Sequence, residues 1–203
     1  MMATTHALAG MALASVAFAV APEHAPVALV AGAAGGAFPD LDLAGAHRKT
    51  LHFPVYYSAA ALLSLPLAML VTTPVTVAVA AGLAAAALHS LMDALGGGLS
   101  LRPWEGTSDR AVYDHARNRW IRPRRWVRYD GAPEDLGLAA GFAVVPFAVS
   151  TGGVRTAVLG LLVLSAAYAL VRKPLVDVGE RLVAVLPPAV LDRLPRRFLE
   201  ELR

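Results

Sequence analysis

The chain has 203 residues, of which 57% are hydrophobic and 16% are charged, with a formal net charge of +3. A soluble domain carries about a quarter charged residues, so this composition indicates a membrane protein, and the length excludes two full domains. There is no cysteine, which excludes disulfides and thiolate metal sites and leaves nitrogen and oxygen as metal ligands.

Apolar runs separated by proline and glycine breaks predict an all-α, polytopic membrane bundle of about six helices. The first run lacks a basic segment before it, so we interpret it as a retained helix, with a cleaved signal peptide as the alternative. The second would reach only about 20 Å as a helix, which favours a tilted or re-entrant piece over a full span. The runs cover residues 5–21, 25–38, 54–72, 75–95, 134–150 and 154–171.

The breaks divide the chain into four predicted regions. Pro133, followed by Glu134 and Asp135, predicts the first turn of the fifth helix. A stripe of apolar residues at helical spacing predicts an interfacial amphipathic tail, formed by Leu191, Leu194, Phe198 and Leu202. The regions are membrane hairpins carrying a metal site (1–98), a basic and aromatic loop (99–133), a C-terminal transmembrane hairpin (134–173) and the tail (174–203).

Several potential metal ligands lie at the ends of apolar runs, where ionisable residues are costly and usually functional. They are His6, Asp40, Asp42, His47, His52, His89 and Asp93. If runs one and two form one hairpin and runs three and four another, each hairpin returns to its starting face and all of these residues meet there. His24 lies in the opposite turn and is excluded. His115 lies in the basic loop, where the default interpretation is a solvent-exposed histidine.

The basic residues predict which face this is. Of 18 Lys and Arg residues, two lie in the loop 39–53, eight in the loop 96–133 and seven after residue 171, leaving only Arg155 on the other side. By the positive-inside rule, the ligand face and both termini are predicted to be cytoplasmic, in the cell membrane.

The ligand residues are individually ambiguous. His89 and Asp93 are four apart and share one helical face, which suits a metal or a hydrogen bond between helices. Asp40 and Asp42 would repel each other without a cation, although two aspartates also suit an ordinary solvated turn. His47 and His52 do not share a helical face, and they too can be ordinary interfacial histidines.

Taken together, the residues predict a centre for one or two divalent ions, with zinc favoured over manganese or magnesium. Such a centre lowers the pKa of bound water and polarises a phosphoryl or carbonyl oxygen, so hydrolysis is the natural reaction. Arg48 is a candidate for binding a phosphate. The alternative is that Arg48 only helps to keep its loop on the cytoplasmic side, according to the positive-inside rule. Asp40 is the candidate general base if one metal binds.

The long loop interleaves arginine with tryptophan and tyrosine. This pattern suits anionic lipid headgroups better than nucleic acid in a loop beside the membrane. A topology determinant lying on the membrane surface is an equally good interpretation.

The ligand pattern resembles the YdjM-like membrane-bound metal-dependent hydrolases over about residues 1–105. The resemblance is carried by Thr5-His6, by Phe38-Pro-Asp-Leu-Asp42, by His47-Arg-Lys-Thr-Leu-His52 and by His89-Ser-Leu-Met-Asp93 with glycines after it. It implies an inner-membrane helical protein with a metal-dependent hydrolase site, and a more distant likeness to zinc phospholipase C points toward phosphoesters. The chain departs from the family pattern at Leu51-His52-Phe53, where Thr-His-Ser is common, and at Leu43-Ala44, where His-Pro is common.

Two functions remain open at this stage. The first is a cytoplasm-facing hydrolase acting on a phosphoester, including a lipid phosphoester. The alternative is a non-catalytic membrane scaffold, in which a structural metal joins the hairpins and the basic loop recruits a soluble protein, nucleic acid or anionic lipid. Transport fits poorly, because transport sites lie near the bilayer midplane.

Overall fold

The structure is a computed structural model that describes residues 1–191. Helices dominate these residues, which confirms the all-α prediction. The helices are α1 (Ala3–Ala14), α2 (Ala17–Val20), α3 (Ala25–Ala37), α4 (Pro54–Leu70), α5 (Pro74–Asp93), α6 (Pro133–Val149), α7 (Gly152–Val185) and α8 (Pro188–Leu191). Short 3-10 segments cover Pro22–His24, Phe38–Ala44 and Pro103–Glu105.

Helix α1 lies at the centre and packs against α3, α5, α6 and α7. Glycines allow the backbones to touch: a Cβ on Gly10 would overlap the carbonyl oxygen of Gly32, and a Cβ on Gly35 would overlap that of Gly82. Small residues permit this close approach in membrane helices. Helix α3 is therefore held tightly between α1 and α5.

The helix starts follow local sequence signals. Thr73 and Thr76 form a capping box at the start of α5, where Pro74 occupies the first turn. Helix α6 begins at Pro133 with two carboxylates in its first turn, as the sequence predicted. One of them, Asp135, is fully buried and accepts a 2.8 Å hydrogen bond from the Thr5 hydroxyl. This bond joins α6 to the start of α1.

Three segments are long and apolar enough to cross a membrane: Ala3–Val20, Pro74–Asp93 and Gly152–Val185. Helix α4 is apolar but has only 17 residues, and α3 has 13. The prediction of about six spanning helices is therefore supported for three of them within residues 1–191.

Two features differ from the sequence expectations. The region predicted as a loop contains an antiparallel hairpin of β1 (Val112–Asp114) and β2 (Arg119–Ile121), in which Tyr113 pairs with Trp120. These short strands hold aromatic and β-branched residues, which favour pleated structure.

Helix α7 continues past residue 173, where the tail was predicted to begin. Arg102 fastens this extension by donating hydrogen bonds of 2.8 and 2.5 Å to Glu180. Leu191 ends the described chain, and the rest of the predicted tail stripe, Leu194, Phe198 and Leu202, lies outside the described residues.

Candidate metal centre

A group of histidine and aspartate side chains converges where α3 and α5 end and α4 begins. It comprises Asp40, His52, His89 and Asp93, whose nearest nitrogen and oxygen atoms all lie within 4.8 Å of one another. His89 and Asp93 occupy the last turn of α5, Asp40 follows α3, and His52 immediately precedes α4. Three of the four are buried, and Asp40 is partly exposed.

The contact atoms of the group are the imidazole Nε2 atoms and the carboxylate oxygens. The Nε2 atoms of His52 and His89 lie 3.0 Å apart. Asp93 Oδ2 lies 3.1 Å from the first and 3.4 Å from the second. Asp40 Oδ1 is slightly farther, at 3.9 and 3.5 Å. This is a nitrogen and oxygen donor set suited to zinc and related divalent ions.

Hydrogen bonds on the far side of both rings determine which nitrogen faces the group. His89 Nδ1 lies 2.6 Å from the Gly36 carbonyl oxygen, which can only accept, so this nitrogen carries the proton. His52 Nδ1 lies 3.0 Å from Asp42 Oδ2. Metal-binding histidines are typically oriented in this way by a carbonyl or carboxylate. The two Nε2 atoms then face each other, and either a proton on one of them or a cation between them removes the repulsion of their lone pairs.

Asp42 supports the loop that carries His52. Its carboxylate contacts His47 Nδ1 at 2.8 Å and accepts hydrogen bonds from the backbone nitrogens of Leu51 and Arg48. Burial raises the pKa of Asp42, but the bonds to His47 and His52 outweigh burial and hold the pKa below its ordinary value. Asp42 is therefore ionised at neutral pH and can orient His52.

His6 lies beside the group. Its Nε2 is 3.2 Å from Asp93 Oδ1, the carboxylate oxygen that does not face His52. Its ring stacks on that of His89, with centroids 3.7 Å apart. Within residues 1–191, its buried Nδ1 has no hydrogen-bond partner. His6 thus contacts Asp93 and His89 from the α1 side.

Arg48 brings a positive charge to the group. Its side chain is buried, and Nε lies 3.4 Å from Asp93 Oδ2. Nε and Nη1 are buried and make no hydrogen bond to any described residue, so two nitrogens of the guanidinium are unsatisfied. The backbone is held at a φ of +58°, and its carbonyl accepts a 2.9 Å hydrogen bond from Tyr113 of the β1–β2 hairpin.

A cleft of about 890 Å³ opens beside the group, within the size range of small-molecule sites. Its lining includes Asp40, His47 and Arg48 together with Arg110 and Trp120 from the hairpin region. Asp40 and Arg48 therefore connect the buried histidines with a space that a substrate can enter.

The sequence-predicted ligands occupy different places around this centre. Asp40, His52, His89 and Asp93 converge, whereas Asp42, His47 and His6 contact the members of the group from outside. His47 was predicted as a ligand because hairpin topology brings it to the face where the other candidates meet, but its Nδ1 faces Asp42 and its side chain is 28% exposed. The five-residue interval between His47 and His52 allows one carboxylate to contact both rings.

The other two histidines lie elsewhere. His24 sits in the turn after α2, 3.9 Å from Glu23. His115 is part-buried rather than fully exposed, because its Nε2 contacts the Lys49 carbonyl at 2.7 Å and its ring packs on Phe53. It supports the loop that carries His52 without joining the group.

The contact between His89 and the Gly36 carbonyl was not predictable from the sequence. The only signal was the Gly35-Gly36 pair at the end of an apolar run, which indicated close helix packing but no particular partner.

A scan against protein-family models, a search of curated proteins and a search of solved structures each found no match.

Proposed function

We propose that this chain is an integral membrane, metal-dependent hydrolase whose site faces the cytoplasm and acts on a phosphoester. The observation that supports the metal most strongly is the 3.0 Å separation of the His52 and His89 Nε2 atoms. Their Nδ1 atoms are already engaged, so both Nε2 atoms are available to a shared cation, which would relieve the repulsion of their lone pairs. The resemblance to YdjM-like hydrolases adds the reaction class to this proposal.

His52, His89 and Asp93 would hold one ion and leave a fourth position for water, and zinc suits their nitrogen and oxygen atoms. When bound, the ion supplies a Lewis acid and makes water a stronger nucleophile at neutral pH. Asp93 contacts both imidazoles, whereas Asp40 is the most exposed of the four and lines the cleft. Asp40 would accept the proton of a water molecule that attacks phosphorus and would return it to the ester oxygen as the P–O bond breaks, so that the group leaves as an alcohol.

Arg48 would bind the phosphoryl oxygens. Its guanidinium already lies beside the group and has donors unused by residues 1–191. A buried cation that lacks hydrogen-bond acceptors is costly. A phosphate with one or two negative charges would accept bidentate hydrogen bonds from the guanidinium.

The membrane location is supported by the three long apolar helices. The cytoplasmic orientation is supported by the excess of Lys and Arg on the side of the site.

A non-catalytic scaffold is the second candidate, because an ion here would join α5 to the loop between α3 and α4, and His52, His89 and Asp93 are each at most 1% exposed. In such a structural site, protein side chains would occupy every coordination position of the ion, whereas a catalytic site keeps one coordination position for water.

The decisive experiment is metal analysis of the purified protein followed by a panel of phosphomonoesters and phosphodiesters. Stoichiometric zinc with turnover supports the hydrolase. Stoichiometric metal with no turnover on any ester would favour the scaffold, and a wild-type protein that binds no divalent ion would contradict both.

A further inference from the structure

We infer that the substrate is a membrane lipid bearing a phosphoester, which enters the cleft sideways from the bilayer; this inference rests on the proposed hydrolase function. It comes from the composition of the cleft lining, which combines cationic side chains with apolar ones.

The charged end of the cleft matches a phosphate. Arg48 lies there beside Asp93, and its Nε and Nη1 make no hydrogen bond to any residue in 1–191. Arg110 also lines the cleft, and its guanidinium lies over the Trp120 ring. Arg172 is neutralised because it donates a 2.7 Å hydrogen bond to Asp130. Arg48 and Arg110 are therefore the lining cations that a phosphate would meet, and Arg48 lies beside the group that includes Asp40, where the ester bond would be placed.

The apolar end of the cleft lies on a membrane-spanning helix. From Gly152, α7 needs 20 residues to cover about 30 Å, which places the bilayer boundary near Arg172 and Lys173. Leu164 and Tyr168 line the cleft one to two turns inside that boundary. Leu164 is 60% exposed, so this wall is continuous with the surface that meets lipid.

Apolar side chains also follow the cleft on its other walls. Leu43, from the segment that carries Asp40, is 63% exposed and lines the cleft together with Leu99. A water-soluble phosphoester would leave these side chains uncovered, whereas an acyl chain would bury them, at about 0.8 kcal/mol per methylene group. The cleft therefore fits a charged headgroup joined to a hydrocarbon chain.

The test is photo-crosslinking with a phosphatidic acid probe that carries a diazirine on its acyl chain, using the full-length protein in nanodiscs and mapping the labelled peptides by mass spectrometry. We expect labels on the cleft walls around Leu43, Leu99 and Leu164, and at least a fivefold decrease with Arg48→Gln. Arg155→Gln, at the other end of α7, is the matched control and should leave the labelling unchanged.

Competition distinguishes the sources of the phosphate. Dioctanoyl phosphatidic acid should remove the cleft labels, while glycerol phosphate at the same concentration should not. Labels confined to outer helix faces, equal competition by glycerol phosphate, or equal labelling by a diacylglycerol probe would each overturn the inference. Because binding is read without turnover, cleft labelling in a protein that hydrolyses nothing would contradict the proposed function and leave lipid binding standing.

Discussion

The end of the bundle that carries the histidines and the end formed by the turns after Val20 and Leu70 are packed differently, although both draw on the same alanine- and glycine-rich helices. At the histidine end, α3 touches α1 so closely that a Cβ on Gly36 would overlap the His6 carbonyl oxygen. At the other end, an apolar cavity of about 240 Å³ remains between α1, α2, α4 and α5.

This difference shows where close packing is needed. The Gly36 carbonyl must reach His89, so the helices around the histidine and aspartate group cannot move apart without losing that hydrogen bond. Among residues 1–191, the opposite cavity is lined largely by alanine, leucine and valine. Small residues thus produce a tight contact at one end and a gap at the other.

The largest effect is expected from removing a central ligand. His89→Ala should lower metal affinity by more than about 100-fold, beyond the effect of outer hydrogen-bond partners, and should abolish hydrolysis while the fold is retained. Metal analysis and phosphoester assays would measure this. His24→Ala, at the opposite end, is the matched control, and unchanged metal content in His89→Ala would contradict the proposed centre.

Closing the space at Gly36 should affect both stability and metal binding. In Gly36→Ala the new Cβ pushes α3 from α1 and moves the carbonyl that His89 contacts, so we expect a loss of about 1–3 kcal/mol in the free energy of unfolding. Gly137→Ala is the control, since a Cβ there meets nothing within 4 Å. Equal melting temperatures for the two variants would show that the close contact is unimportant.

Asp42 should tune the centre without being essential to it. Asp42→Asn removes the ionised partner of His52, and such supporting groups typically change metal affinity by about 10–100-fold. Competition with a metal-binding dye would measure the change. Asp109→Asn, an exposed carboxylate in the basic loop with 66% of its side chain accessible, should leave the affinity unaltered.

The pH dependence of stability should include a contribution from Asp130. Burial raises its pKa, but the Arg172 guanidinium and the Tyr168 hydroxyl hold the pKa below its ordinary value. Ionised Asp130 therefore contributes its full stabilisation above its pKa in the unfolded state, about 4. This stabilisation is lost as the pH falls through its lower pKa in the folded state.

Thermal unfolding of the wild type and of Asp130→Asn should give free energies of unfolding that differ by about 1.5 kcal/mol at pH 7. The two free energies should converge as the pH falls. Glu23→Gln, at the opposite end of the bundle, is the control. Its free energy of unfolding should differ from that of the wild type by the same amount at pH 7 and in acid. A difference for Asp130→Asn that stays constant down to low pH would contradict this explanation.

The smallest effect is expected at the apolar cavity. Ala84→Leu adds methyl groups to its wall and should raise the free energy of unfolding by about 0.5–1 kcal/mol. Ala139→Leu places the same side chain in a fully buried position and should lower it by about 1–3 kcal/mol. Destabilisation of similar size in both variants would mean that the two ends are packed alike.

Hairpin topology was sufficient to predict from sequence that His6, Asp40, Asp42, His52, His89 and Asp93 meet. Helix ends were predictable where proline sets them, as at Pro54 and Pro133. Hairpin topology and helix ends at proline can be inferred from the sequence without knowing how the side chains pack.

The division between converging and supporting residues was not predictable. Whether His47 faces Asp42 or the group depends on the path of a loop whose shape comes from Asp42 itself and from the docked hairpin. The hairpin escaped prediction because each strand has only three residues, too few for a clear alternation.

The hydrogen bond from Thr5 to Asp135 has a consequence for the order in which the molecule assembles. It joins residues 130 positions apart, so the start of α1 acquires this contact only once α6 lies beside it. Contacts between residues so far apart in the sequence close large loops and make folding slow. His6 lies in the same turn of α1, and the histidine cluster is therefore completed only after α6 has packed against α1.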